Sequence, residues 1–199
     1  MKSNDEVNGS QKLKHEKVNG FSVNELKDFH KLFAKELKEP YWIEGIIKKL
    51  LHKVLKYTNS FLLGDKISRQ LDFAKDHRLR IKEMFSMIDA EAQTIQSKSI
   101  KDLIDGAEEL MGDFRKGVIR DAGIISSDFK MKHFGLASDG RLCFYARTLG
   151  ELKSASILNL SLNEENLAIE KLSLFIESIR MESSDASRAN KTSVTAGDK

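Results

Sequence analysis

The sequence has little of what stops a helix or staples a fold. It holds one proline, Pro40, and twelve glycines in 199 residues, so long unbroken helices are permitted. The single cysteine, Cys143, excludes an intrachain disulfide. It stands on an apolar helical stripe with no Cys-x-x-Cys and no clear basic neighbour, and it reads as a core residue of a protein in a reducing compartment. No apolar run is long enough to span a bilayer. The N-terminal stretch MKSNDEVNGSQKLKHEKVNG lacks the apolar segment of a secretory signal, so a cytoplasmic location is expected. Neither sign of charge dominates: 33 Lys and Arg face 30 Asp and Glu, a net charge of +3. That is too small an excess to argue for nucleic acid or an anionic membrane as partner. No glycine-rich loop opens a helix and no spacing suggests a Ser-His-Asp set, so neither a phosphate-binding loop nor a triad hydrolase is indicated.

What is present is helical periodicity. The length suits one domain with a sizeable core. Ser22-Val-Asn-Glu25 is a capping box, and it opens a first helix running to about Tyr57. Its buried stripe is Phe29, Phe33, Leu37, Tyr41, Glu44, Ile47, Leu51 and Val54. Pro40 predicts a kink or break over 36–40. A turn at Asn59-Ser60 leads into a second helix to about Ala90, with stripe Ile67, Leu71, Ala74, His77, Ile81, Met84 and Ile88. Residues 91–115 form a long connection with a short helix over 100–111. The third helix spans 116–150. Its stripe reads Ile119, Ala122, Ile125, Phe129, Leu136, Gly140 and Cys143, and Lys132 and His133 stand where the next core residue should fall. Leu149-Gly150 is a stop signal. A fourth helix follows to about Arg180, with stripe Leu158, Leu162, Glu165, Ile169, Leu172, Ile176 and Ile179. Residues 1–20 and 182–199 lack periodicity and are expected to be disordered tails flanking a bundle over 21–181. No strand-period alternation is found. Two helical hairpins joined by one long connection make an all-α, ferritin-like four-helix bundle with a short extra helix in the crossover.

Several short pieces in fixed order carry a resemblance: Tyr41-Trp-Ile-Glu44, Asp76-His77, Arg120-Asp121-Ala122, His133-Phe134 with Leu136-Ala137-Ser138, Ala146-Arg-Thr-Leu149-Gly150 and Glu164-Glu165. Over about residues 25–180 the chain resembles the YciF-type ferritin-like stress-protein family. The resemblance implies a bundle core able to carry a carboxylate-rich site for two metals. Ferritin-like di-iron sites take one Glu from each of two helices and a Glu-x-x-His from each of the others. Glu44, His77 and Glu165 stand at matching positions. The chain departs elsewhere: Ala74 precedes His77 by three, Lys132 replaces a Glu of the third helix, and no Glu-x-x-His occurs anywhere.

Two readings of these residues stay open. Glu44, His77 and Glu165 could hold one iron, zinc or manganese ion; or Glu44, His77, Lys132, His133 and Glu165 form a buried polar cluster with no cofactor. A charged lysine cannot ligate a metal, and an inward Lys132 between two Glu would itself replace a cation. His133 reads as a satisfied core histidine. The segment Gly45–Leu55, with Lys48, Lys49, His52 and Lys53 on one face and Lys56 just beyond, could lie on a membrane, but its apolar face continues the bundle seam, which favours a solvated outer face. The reading adopted is a non-catalytic bundle, stress-associated or an interaction module, open to homodimerisation, with the ancestral di-metal site largely lost. The alternatives are an iron- or manganese-binding protein and a peripheral membrane binder.

Overall fold

A computed structural model describes residues 20–195, with side chains described as far as Glu177. Of the tails expected at 1–20 and 182–199, residues 1–19 and 196–199 lie outside the described residues. Among the described residues six helices follow one another: α1 (Val23–Glu36), α2 (Lys38–Tyr57), α3 (Phe61–Met87), α4 (Lys98–Asp113), α5 (Val118–Leu149) and α6 (Leu152–Thr195). The bundle is all-α and ferritin-like. Its first long helix is α1 and α2 together, and α3, α5 and α6 are the other three. The connection after α3 passes Lys38, where Ile95 N–H donates to the Lys38 carbonyl at 3.2 Å. Helix α4 then carries the chain along α2 and α5 to the opposite end, completing the crossover.

Local chemistry explains the boundaries. The capping box at Ser22 forms: its hydroxyl accepts from Glu25 N–H at 3.3 Å, and its own N–H donates to Glu25 Oε2 at 2.7 Å. The break falls within 36–40, as Pro40 predicts. Leu37 keeps helical angles (φ −65°, ψ −23°), so the chain bends rather than stops. Pro40 has no N–H to return to the Glu36 carbonyl, and the ladder resumes where Tyr41 N–H reaches Leu37 O at 3.2 Å. Gly150 ends α5 in the left-handed region (φ +76°), which lets α6 start two residues later.

The α2–α3 turn is tied to α5 by one carboxylate. Buried Asp121 accepts from Thr58 Oγ1 at 3.1 Å and from the N–H groups of Asn59 and Ser60 at 2.9 Å each. That bond set needs Asp121 on the core face, and it fixes the rotation of α5.

Two expectations are corrected. The stripe proposed for the third helix holds in part: Ile125 and Cys143 are buried as expected and Phe129, Leu136 and Gly140 are half-buried, but the buried face is turned toward their neighbours. Ile119 is 62% exposed and Ala122 is exposed, and the buried line is Asp121, Ile124, Ile125, Ser138, Asp139, Leu142, Cys143 and Ala146. Apolar side chains lie on both sides of α5, so polar anchors decide its phase. The second correction concerns α6, which runs to Thr195 rather than ending near Arg180; no proline or glycine stands between 181 and 195 to stop it. Within its expected stripe, Leu158, Glu165 and Leu172 are buried, but Ile176 is 43% exposed; Ile179 lies beyond the described side chains.

Two substitutions test these anchors. Gly150→Ala should lower stability by about 1 kcal/mol, the usual effect of a side chain at positive φ. Asp121→Ala removes a charged acceptor shared by three donors and should cost more, on the order of 1.5–3 kcal/mol. Denaturant titration of both variants checks the ranking; equal midpoints would mean Asp121 does not hold the turn.

Candidate functional site: a buried charge lattice

Four helices send polar side chains to one level of the core. From α2 comes Glu44, from α3 His77, from α5 Lys132 and Asp139, and from α6 Glu165. Each lies on its helix's buried side, one or two turns from buried apolar residues: Pro40 and Leu51 for Glu44, Ala74 and Ile81 for His77, Ile125 for Lys132, Leu142 and Ala146 for Asp139, Leu158 and Leu172 for Glu165.

His77 lies between two carboxylates. Its Nδ1 is 2.8 Å from Glu44 Oε1, and its Nε2 is 3.2 Å from Asp139 Oδ2. The second contact is an ion pair in distance but lies off hydrogen-bond alignment, so Nε2 and Oδ2 lack a well-formed bond. Burial alone would lower the pKa of this ring. The contacts to Asp139 and Glu44 and their negative charges outweigh it and push the pKa up to about 10. His77 is therefore an imidazolium at neutral pH.

Lys132 points inward. Its Nζ is 3.3 Å from Glu165 Oε1 and 3.2 Å from Oε2, with the side chains 11% and 6% exposed. It also lies over the Phe73 ring, 4.9 Å from the centroid. Burial would lower the pKa of the ammonium, but Glu165, Asp128 and Glu44 raise it above the ordinary lysine value. Burial raises the pKa of Glu165 despite Lys132, and Asp128, held by Gln70 Nε2 at 2.7 Å, is likewise raised by burial. The neighbouring acid, Glu164, turns outward to Arg80 Nη2 at 3.1 Å.

The sequence-derived cluster is thus brought together in part. Glu44, His77, Lys132 and Glu165 meet. His133 does not: it is exposed and its ring packs on Phe129, with centroids 4.7 Å apart. One residue's rotation from an inward Lys132 carries it to the outer side of α5. Asp139 escaped the sequence reading. The signal was its spacing: Asp121, Asp128, Lys132 and Asp139 recur at intervals of seven or four, one helical face of polar residues. The basic face of α2 is exposed at Lys48, Lys49, His52, Lys53 and Lys56, and Lys53 pairs with Glu108 of α4 at 2.7 Å.

A di-metal centre needs oxygen and nitrogen lone pairs converging on the cations. Here His77, held between Glu44 and Asp139, offers none unless a metal displaces its proton. The Lys132 ammonium offers none either, and it adds positive charge beside the oxygens a metal would use. Among the described residues no group of three or more His, Cys, Asp and Glu is arranged to hold a metal ion. As paired, these residues do not fit the metal centre that the fold can carry. No helix among the described residues is long and apolar enough to cross a membrane.

Comparison with known proteins agrees with the fold. The family model described as a domain of unknown function, DUF892, matches residues 28–184. Protein YciF of Escherichia coli K12 is 26% identical over 148 residues, 74% of this chain and 89% of that protein. The crystal structure of the E. coli stress protein YciF superposes with a TM-score of 0.71 at 25% identity, covering 78% of this chain and 97% of that one. YcfI from Rhodopseudomonas palustris superposes with a TM-score of 0.71 at 24% identity, over 77% of this chain and 98% of that one. With most of its length matched and its helices in the same arrangement, the chain belongs to the DUF892 family, and it is similar to YciF.

Proposed function

We propose that this protein is a non-catalytic, cytoplasmic ferritin-like bundle serving as a stress-associated interaction module, and that its interior supplies its own cations in place of a metal. The observation that carries the second part is the pairing of His77 with Glu44 and Asp139, and of Lys132 with Glu165. Two fixed positive charges offset carboxylates that would otherwise repel one another or take up protons. The stress association rests on similarity to YciF, whose crystal structure is described as that of a stress protein. The absence of catalysis rests on chemistry: the ionisable groups of the lattice are engaged with one another in ion pairs.

Metal content decides between this reading and a metal-binding bundle. Protein purified without chelator should contain far less than one iron, manganese or zinc per chain by elemental analysis. Near-stoichiometric metal that disappears on Glu44→Ala or His77→Ala would overturn it.

Lys132→Met should destabilise the fold by about 3–5 kcal/mol at neutral pH, the usual cost of stranding one member of a buried ion pair. A midpoint shift under about 1 kcal/mol would mean that Lys132 reaches solvent, as long lysines can.

The pH dependence has a definite sign. His77 has a folded pKa of about 10 against an ordinary 6.5, so its contribution is fully present below pH 6.5 and is lost as pH rises through 10. The raised pKa values of Asp128 and Glu165 act in the same direction, each from its own unfolded value upward. The denaturation midpoint should therefore fall between pH 6.5 and 10. His77→Gln should flatten that fall, and an unchanged slope in the variant would exclude His77 as its source.

A further inference from the structure

The charge lattice is one wall of a cavity of about 80 Å³. The remaining walls are mostly apolar: Ile47, Leu51, Ile67, Met111 and Ile124 line it, with Gln70, Ser127 and Asp128 as polar exceptions. It reaches along α2 from Glu44 to Val54, about 15 Å at 1.5 Å per residue. At ~10–15 Å³ for each water-sized probe, the space suits a short chain of a few heavy atoms.

The polar wall has unmet acceptors. Ser138 Oγ is buried without a hydrogen-bond partner; Asp139 Oδ2 and Glu165 Oε2 each face a cation, His77 Nε2 and Lys132 Nζ, at 3.2 Å but out of hydrogen-bond alignment, and all three residues line the cavity. The exposures of the whole residues are 4%, 1% and 5%. Such groups are costly unless something meets them. Charge points the same way. Glu44, Asp128, Asp139 and Glu165 are four carboxyl groups, two of which, Asp128 and Glu165, hold their protons more tightly because of burial, and His77 and Lys132 are two cations. A guest that donates hydrogen bonds and carries one positive charge would complete the wall. An apolar tail on that guest would lie along α2. A carboxylate guest would add a further acid to this wall and bring no donors.

We propose that this cavity binds a short aliphatic primary amine, its ammonium group on Ser138, Asp139 and Glu165 and its alkyl chain between α2, α3 and α5. The proposal rests on the preceding reading that the lattice holds no metal. The test is isothermal titration calorimetry on full-length protein of known metal content, with n-hexylamine, n-hexanol and hexanoate as probes. Hexylamine should bind with one-to-one stoichiometry, hexanol at least tenfold more weakly, and hexanoate without measurable heat. Ser138→Ala should weaken hexylamine several-fold. Ile67→Phe, and independently Val54→Phe, should abolish binding by filling the apolar end. Absence of hexylamine binding to metal-free protein would overturn this proposal alone. So would hexanoate binding as tightly as hexylamine, or binding untouched in a folded Ile67→Phe or Val54→Phe variant. Stoichiometric metal would overturn the earlier reading instead, so the two failures are distinguishable.

Discussion

A charge buried in a protein core must be opposed, and the two ion-pair groups at the centre of this bundle meet that condition with side chains from four helices. Glu44 on α2 and Asp139 on α5 bracket His77 on α3, while Lys132 on α5 meets Glu165 on α6. Well-packed apolar residues would often be as stable as such a network, so net stability does not explain it. What it does supply is register. A leucine tolerates a neighbour turned by a few tens of degrees, but a buried carboxylate whose cation has moved is stranded at a cost of several kcal/mol. Each of the four helices therefore has one allowed rotation about its axis.

The need for register is greatest in α5. Its apolar residues are spread around the helix: Ile119 and Phe144 face solvent, while Ile124, Ile125 and Leu142 face the core. Apolar burial alone would leave its phase poorly determined. Two polar anchors settle it, Asp121 on the α2–α3 turn at one end and the Lys132–Asp139 segment at the middle. All three residues share one face at helical spacing.

The same fact marks where the sequence was readable. Features set by a single residue's backbone chemistry were visible: the Ser22 capping box, the bend at Pro40, the left-handed Gly150. The amphipathic helices α2 and α3 were also visible, because their apolar stripes are one-sided. Glu44 and His77 could be placed on those stripes and Glu165 on the stripe of α6, and the resemblance pointed to the same residues. In α5 the apolar pattern was right only in part. It put Ile119 and Ala122 inside, admitted His133 to the cluster, and hid Asp139 because an aspartate contributes nothing to an apolar count. The end of α6 was misjudged for a related reason. Periodicity reports burial, and a helix can continue past its last buried residue wherever nothing breaks it.

On α3, two arginines flank the lattice beside His77. Arg78 and Arg80 follow His77 closely and project to either side of it around the helix. Arg78 stacks over Tyr41 of α2, with its guanidinium carbon 3.9 Å from the ring centroid, and donates to the Tyr41 carbonyl. Arg80 reaches across to Glu164 of α6. One turn of α3 thus presents an imidazolium inward and a guanidinium to each flanking helix. Gly45 belongs to this arrangement: a Cβ there would lie 2.7 Å from Arg78 Nη1, so a larger residue would require the guanidinium to shift. Water admitted at that seam would raise the local dielectric and weaken every charge contact behind it. The flanking arginines and the glycine that admits one of them are therefore part of the same device as the buried pairs, although none of the three touches the lattice's carboxylates.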